Sequence, residues 1–385
     1  MNFNKKKLGV LLAVIITGFS LRPSITGIGS VLKLIKPDLG LSDTAAGLIT
    51  TIPLLAFAFF SPFVGKINVR LGTRKTMLCG FFFIIAGTLI RSYVGAGGLF
   101  AGTLIIGIGI ACGNVIIPAI IKENYAEHFG LVTALNSAGM AISSGIASGI
   151  NYPVASVAGW KNALCVWLVP ALVTFVIWIF IRGTNAGVRR AEGASDLLRN
   201  PTAWAVTLFM GIVCLLFYGC ISWLSTIFQE KGLDAVTAGY YVSGFQLMGI
   251  PSSLIVPLLA GRHKDQRRVT FFTVGIFLVG MVTMALANNA MVLLIAALLS
   301  GFACNGAFAL AMAFLGFRAK NGNDAARLSG MSQSIGNLLA ALGPIGMGWL
   351  KGMSGSWNAV LWINAALICL LFVVGGLSAK EGSVA

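Results

Sequence analysis

Long runs of apolar residues recur from one end of the chain to the other, with short polar segments between them. Most runs reach the roughly 20 residues that an α-helix needs to cross a bilayer. Because a backbone in lipid must satisfy its own hydrogen bonds, such runs predict helices. The chain is 57% hydrophobic and 10% charged, whereas a soluble domain has about 25% charged residues. The sequence therefore predicts an all-α membrane protein with many crossings.

The apolar runs divide into twelve predicted transmembrane spans, six on each side of a polar segment. We expect an N-terminal six-helix bundle at 1–181, a cytoplasmic linker at 182–201 and a C-terminal six-helix bundle at 202–385. The predicted spans are 8–28, 44–65, 76–94, 98–121, 129–155, 160–181, 202–228, 236–260, 269–287, 291–317, 326–350 and 357–377.

The net charge of +16 lies mainly in the short loops between these spans. With the N-terminus in the cytoplasm, twenty lysines and arginines fall in cytoplasmic segments and six in external ones. Such a bias orients membrane helices, because positive residues are retained on the cytoplasmic side. Both termini are therefore expected in the cytoplasm. In a soluble protein this charge would suggest nucleic acid as a partner; here the loops account for it, and no nucleic acid is expected.

The two halves of the chain resemble each other in sequence. The segment GIACGN at 109–114 is echoed by GFACNG at 301–306, and LVTALNSAG at 131–139 by LSGMSQSIG at 328–336. A basic loop also follows the second span and the eighth. Six-helix repeats are typical of transporters that bind substrate near the midplane between two halves. The spacing therefore favours a pseudo-symmetric transporter.

Arg22 lies deep inside the first predicted span, whereas the other basic residues lie in loops or near span ends. It is roughly 21 Å along that helix, past the midplane of a core about 30 Å thick. A guanidinium there costs about 2.5–3.5 kcal/mol on insertion scales, and no predicted span contains an acidic residue. Pro23 removes a backbone donor and predicts a kink or break at this point. We therefore predict that Arg22 binds an anionic or nitro group of the substrate.

Other polar and aromatic residues inside the spans are candidate substrate contacts. For each amide, a hydrogen bond between helices is an equal alternative, and for each aromatic ring, an anchoring role between helices is the alternative. Arg91 and Arg318, near span ends, are expected to reach toward the headgroups. The candidate contacts besides Arg22 are Asn114, Gln246, Asn305, Gln333, Asn337, Tyr218 and Trp223.

The first basic loop, GKINVRLGTRK at 65–75, resembles the signature loop of the major facilitator superfamily. Its acidic position is Val69 in this chain, whereas the second loop, at 261–268, contains an acid. The resemblance implies that these loops control packing and gating on the cytoplasmic side. The candidate gating residues are Gly65, Arg70, Gly72, Arg74, Asp265 and Arg267.

Several further segments are similar to the cyanate and nitroimidazole permease family within that superfamily, and closest to its nitroimidazole-type members. They are LRPSITG at 21–27, GNVIIPAIIK at 113–122, ISWL at 221–224, AARLSGMSQS at 325–334 and LAALGP at 339–344. The resemblance implies two pseudo-symmetric six-helix bundles, a bacterial inner membrane location and a monomer. It also implies a small anionic or nitro-aromatic substrate.

We therefore expect a secondary transporter that works by rocker-switch alternating access. The chain has no Walker motif, so direct drive by ATP is not expected, nor is a cofactor or metal. The coupling ion is open; the lack of carboxylates in the spans favours uniport, or symport in which the substrate carries the proton. One alternative is a proton-coupled multidrug exporter, which the cationic Arg22 disfavours. Another is a membrane sensor or enzyme, which would need a signalling domain or catalytic group.

Overall fold

The computed structural model describes residues 5–125, 129–181, 199–319 and 322–380. Within these ranges every element of regular secondary structure is a helix. The predicted all-α fold is therefore confirmed. Most of the predicted linker at 182–201 lies outside the described residues.

The helices of the first half carry the broken segment that follows Leu21. They are α1 (Lys5–Leu21), α2 (Pro23–Thr26), a 3-10 turn (Gly29–Val31), α3 (Leu32–Leu39), α4 (Asp43–Leu71), α5 (Thr73–Tyr93), α6 (Gly95–Asn124), α7 (Phe129–Cys165) and α8 (Leu168–Phe180). The helices of the second half are α9 (Pro201–Glu230), α10 (Ala235–Leu247), α11 (Gly249–Gly261), α12 (Arg267–Leu286), α13 (Ala290–Phe317), α14 (Gly322–Ser354) and α15 (Trp357–Ala379).

Ten helical segments in the described part of the chain are long and apolar enough to cross a membrane. One of them, Leu135–Phe180, contains most of the fifth and sixth predicted spans. Gly159, with φ of 81° and ψ of 155°, interrupts it. These values are open to glycine and strained for other residues. The eleventh predicted span falls on α14. All twelve predicted spans thus lie on helices, and the number of crossings stays a prediction.

The chain forms two units, and each has its own packed interior. Unit 1 comprises Met1–Gly40 and Ile52–Arg190. Its helices α5 and α6 approach closely along glycines, since a Cβ on Gly87 would lie 2.7 Å from the carbonyl oxygen of Gly102. Small residues allow this approach in membrane helices, where packing replaces the hydrophobic effect.

Unit 2 comprises Leu41–Thr51 and Ala191–Ala385. A Cβ on Gly211 of α9 would lie 3.4 Å from the Cα of Gly336 of α14, so these two helices also meet along glycines. The first turns of α4 join this unit through a hydroxyl contact. Ser222 Oγ donates to Thr50 Oγ1 at 2.7 Å.

Candidate substrate-binding site

The first membrane segment breaks at Arg22, which separates α1 from the short α2. Pro23 starts α2, a position that tolerates its missing N–H, whereas in a continuous helix its ring would clash with the preceding turn. The Arg22 carbonyl accepts from the N–H groups of Ile25 and Thr26 at 3.0 and 3.1 Å. The break predicted at this proline is therefore present, and the Arg22 side chain beside it is half-buried.

The broken segment is buried, so its backbone groups need partners from other helices. Asn151 of α7 supplies one, because its Nδ2 donates to the carbonyl oxygen of Gly27 at 2.7 Å. Trp167 Nε1 in turn donates to Asn151 Oδ1 at 2.9 Å and fixes the orientation of this amide. Ser144 Oγ donates to Thr26 Oγ1 at 3.0 Å. A hydrogen-bond network formed by side chains of α7 and by Trp167 thus holds the segment that follows Arg22.

Arg91 also reaches this segment, contrary to the expectation that it points toward the headgroups. Its side chain is 1% exposed, and its Nη1 donates to the carbonyl oxygen of Ser24 at 2.5 Å. The expectation is wrong for Arg318 of unit 2 as well, which is 2% exposed. Arg318 Nε donates to the carbonyl oxygen of Ser378 at 2.8 Å. In both cases a buried backbone carbonyl takes the place of the headgroup region.

The carboxylates of the described part of unit 1 lie at helix ends. Asp38 is in the last turn of α3, where its Oδ2 accepts from Trp160 Nε1 at 3.0 Å. Glu123 is next to the last residue of α6. Arg22 carries a permanent positive charge, and a guanidinium suits an anionic or nitro-bearing ligand.

Asn114 is the second candidate contact in unit 1. It is exposed on the middle of α6. Its neighbour Gly113 packs against Leu21, since a Cβ there would lie 2.7 Å from Leu21 Cδ1. Leu21 directly precedes Arg22. The fold thus packs the residue before Asn114 against the side chain of the residue before Arg22.

Three of the candidates in unit 2 lie around one cluster. Asn305 Nδ2 donates to the carbonyl oxygens of Gly301 at 2.8 Å and Phe245 at 3.4 Å. Gln246, next to Phe245, is buried. The Phe245 ring stacks on Phe217 with centroids 6.4 Å apart, and Phe217 makes an edge contact with the ring of Tyr218 at 5.3 Å. We call this the neutral cluster; its members are Tyr218, Gln246, Asn305, Phe217 and Phe245.

The remaining candidates of unit 2 have other surroundings. Gln333 is exposed on α14 and donates to Ser329 Oγ at 2.9 Å, while Asn337 is half-buried one turn later. Trp223 is fully buried, its Nε1 donates to the carbonyl oxygen of Pro344 at 2.8 Å, and its ring lies 4.9 Å from that of Trp357. These contacts favour the anchoring alternative for Trp223.

The candidate gating residues lie at matching places in the two units. Arg74 Nη2 donates to the carbonyl oxygen of Ile179 at 2.5 Å, near the end of α8. Arg267 Nε donates to that of Gly376 at 3.3 Å, near the end of α15. Each arginine thus caps the last helix of its unit, where a cation also complements the helix dipole. Asp265 Oδ1 accepts from the Arg267 N–H at 3.0 Å.

The other three gating candidates lie in or after α4. Gly72 precedes α5 with φ of 80°, which explains glycine at this position. Gly65 is half-buried inside α4, and Arg70 is exposed in its last turn. No movement follows from these contacts alone, so a gating role stays a prediction.

Sequence reasoning missed the residues that hold the broken segment. Arg91, Asn151 and Trp167 were not among the candidate contacts, although each makes a buried hydrogen bond in or next to this segment. The one signal available for Asn151 was a polar amide inside a predicted span. A lone intramembrane amide costs free energy unless it is paired, and a broken helix offers carbonyls for that pairing.

Several known proteins that match this chain over nearly its full length are named as transporters. The uncharacterized transporter YycB of Bacillus subtilis (strain 168) is 37% identical over 377 residues, which are 97% of this chain and 93% of that protein. The 2-nitroimidazole transporter of Escherichia coli (strain K12) is 33% identical over 380 residues, 97% and 96% of the two chains. The cyanate transport protein CynX of the same strain is 24% identical over 369 residues, 95% and 96%.

The fold matches solved transporters as well. A mutant of the nucleoside transporter NupG superposes with a TM-score of 0.80 at 15% identity, covering 97% of this chain and 100% of that chain. The family model for the Major Facilitator Superfamily matches residues 11–290. The resemblance predicted from the signature loop and from the LRPSITG segment is therefore confirmed. The chain is a multi-pass membrane transporter that belongs to the Major Facilitator Superfamily.

Proposed function

We propose that the protein is a facilitative or secondary active transporter of a small organic anion or nitro-bearing solute. The observation that carries this proposal is Arg22, a permanent cation at a buried break in the first membrane segment. A guanidinium presents several donors in one plane, and two of them match the paired oxygens of a carboxylate or nitro group. Relatives named for 2-nitroimidazole and cyanate support the same class of substrate.

Neutral groups supply the remaining contacts in this proposal. Asn114 of unit 1 and the neutral cluster of unit 2 offer amide donors and aromatic faces that suit a small planar solute. Gln333 and Asn337 of α14 are further proposed contacts. Because the carbonyls of Gly301 and Phe245 already accept from Asn305, this amide keeps its oxygen for a substrate donor.

Transport proceeds by alternating access, in which the bundles at 1–181 and 202–385 rock against each other around the substrate. The arginine caps at Arg74 and Arg267 tie the ends of each bundle together so that it moves as a rigid body. The protein acts as a monomer in the bacterial inner membrane, with both termini in the cytoplasm. Uniport, or symport of a protonated substrate, fits predicted spans that contain no carboxylate.

A thermal-shift screen of purified protein tests the substrate class. Cyanate, 2-nitroimidazole, small carboxylates and organic cations are compared on the wild type and on Arg22→Ala. We expect stabilisation by at least one anionic or nitro compound and loss of that stabilisation in the variant, because binding raises the melting temperature by mass action. Stabilisation by organic cations alone would instead favour the multidrug exporter. A folded Arg22→Ala protein that binds and transports normally would contradict the proposal.

A further inference from the structure

Arg91 is held deep in unit 1 by close helix packing. It lies in the last turn of α5 and is 1% exposed. Gly102 of α6 packs against its backbone, where any Cβ would collide with the nitrogen and Cα of Arg91. From this fixed position Arg91 Nη1 reaches the carbonyl oxygen of Ser24 in the broken segment.

The Ser24 carbonyl needs a partner from outside its own helix. α2 has four residues, Pro23–Thr26, so each of its carbonyls belongs to a C-terminal turn. The Pro23 carbonyl accepts from the N–H of Gly27 at 3.0 Å, and that of Thr26 from Ser148 Oγ at 3.5 Å. Ser24 receives the charged donor, and hydrogen bonds from charged donors are the stronger kind.

Burying this guanidinium is costly, which argues against a merely topogenic role. Within the described residues, Arg91 Nε and Nη2 are buried without a hydrogen-bond partner. A buried charge is expensive unless it is paired and hydrogen-bonded. An arginine that served only to orient α5 would extend to the headgroups instead. The burial of Arg91 is explained if its hydrogen bond to the Ser24 carbonyl is needed to hold the broken segment.

The turn that Arg91 holds is also the turn that fixes Arg22. The Arg22 carbonyl accepts from the N–H groups of Ile25 and Thr26, which follow Ser24 in the same short helix. We propose that Arg91 is a positioning residue, which holds the broken segment in the conformation that presents Arg22 to the substrate. The effect on binding rests on the proposed function, whereas the effect on the segment does not.

Hydrogen exchange measured by mass spectrometry tests the first part on purified full-length protein. Arg91→Met removes the charge and the donors, Arg91→Gln keeps a neutral donor, and Arg91→Lys keeps a charged one. We expect amide exchange in residues 20–31 to rise about tenfold in Arg91→Met, the effect of losing one charged hydrogen bond. Arg91→Lys should remain within about threefold of the wild type. If Arg91→Met does not fold, exchange in residues 20–31 is compared between Arg91→Gln and Arg91→Lys, and the Gln variant should exchange faster.

Arg318→Met of unit 2 is the matched control. It removes another buried arginine that donates to a backbone carbonyl, at Ser378 near the end of α15. This variant should lower the melting temperature and leave exchange in residues 20–31 unchanged. If Arg318→Met raises exchange there as much as Arg91→Met does, the effect is general destabilisation and the proposal is overturned.

Binding of 2-nitroimidazole and cyanate, measured by calorimetry, tests the second part. Arg91→Met should raise the dissociation constant about tenfold and Arg91→Lys should restore it, because the charged donor returns. Unchanged exchange in Arg91→Met would overturn the proposal. Unchanged affinity in Arg91→Met would also overturn it, provided that binding to the wild type depends on Arg22. If Arg22→Ala binds normally, the proposed function fails and the positioning role falls with it. Faster exchange would then still assign Arg91 to the stability of the segment.

Discussion

The first membrane segments of the two units differ in continuity. In unit 1, α1 ends after 17 residues, and the chain continues through the buried α2 and the 3-10 turn. In unit 2, α9 runs unbroken from Pro201 to Glu230. Both segments contain a proline, but Pro201 is at the start of α9, where its missing N–H has no consequence. Pro23 instead follows a long helix and ends it.

This difference shows how two copies of a repeated scaffold can diverge at the same place. After its Asn200 cap, α9 continues as one unbroken helix, whereas the broken segment of unit 1 uses side chains of Arg91, Ser148 and Asn151. The end caps formed by Arg74 and Arg267 are common to both units. The shared contacts therefore belong to the scaffold, and the unshared ones hold the segment that follows the cation proposed to bind substrate.

Arg22→Lys should have the largest effect, because it keeps the charge and removes the planar fork. We expect the dissociation constant for 2-nitroimidazole or cyanate to rise roughly thirtyfold, or about 2 kcal/mol. The matched variant is Arg267→Lys in unit 2, where one donor to one carbonyl suffices. It should leave the affinity within about twofold. Equal losses measured by calorimetry would show that the fork at Arg22 has no special role.

Asn151→Ala should come next, and its effect is on stability. It leaves the Gly27 carbonyl and the Trp167 N–H unpaired in a buried site. We expect this to lower the free energy of unfolding by about 1.5 kcal/mol. Asn364 of α15 is buried too, but among the described residues its Nδ2 donates to a thioether, Met347 Sδ, at 3.7 Å. Asn364→Ala should therefore cost less than about 0.5 kcal/mol. Denaturation in mixed micelles checks both values, and a larger loss for Asn364→Ala would reverse the comparison.

The length of the apolar runs predicted the helices well, because a membrane leaves the backbone few alternatives. The break at Pro23 was predictable for the same local reason, since proline cannot donate to the preceding turn. The gap predicted between the fifth and sixth spans, at 156–159, coincides with the interruption of α7 at Gly159. Glycine tolerates the positive φ of 81° at this position.

The surroundings of the site were less predictable, because they depend on contacts between distant helices. Because Arg91 and Arg318 are near span ends, they were expected to extend to the headgroups. Each instead donates to a buried backbone carbonyl. The position of Gly102, which fixes Arg91, comes from helix pairing and not from local pattern. For Trp223 the choice between substrate stacking and anchoring depended on the carbonyl of Pro344.

Pro23→Ala tests whether the break itself is needed. Alanine restores a backbone donor and lets α1 extend toward α2, so the segment spends part of its time in a continuous helix. We expect roughly a fivefold loss of affinity, about 1 kcal/mol. Pro201→Ala is the control, because Pro201 already fits the first turn of α9. The affinity of this variant for the substrate should equal that of the wild type. Calorimetry on both variants decides the matter, and equal affinities would mean that Arg22 needs no break beside it.

Asn200→Ala should have the smallest effect and should act on stability alone. Asn200 Oδ1 caps α9 by accepting from the N–H groups of Thr202 and Ala203 at 2.9 and 3.2 Å. Loss of such a cap costs about 0.5–1 kcal/mol, and Asn200→Asp should retain it because a carboxylate accepts the same bonds. Thermal unfolding measures the stability, and calorimetry should show an unchanged dissociation constant. A loss of affinity in Asn200→Ala would mean that the start of α9 also shapes the substrate site. Both first segments, and not the broken one alone, would then contribute to binding.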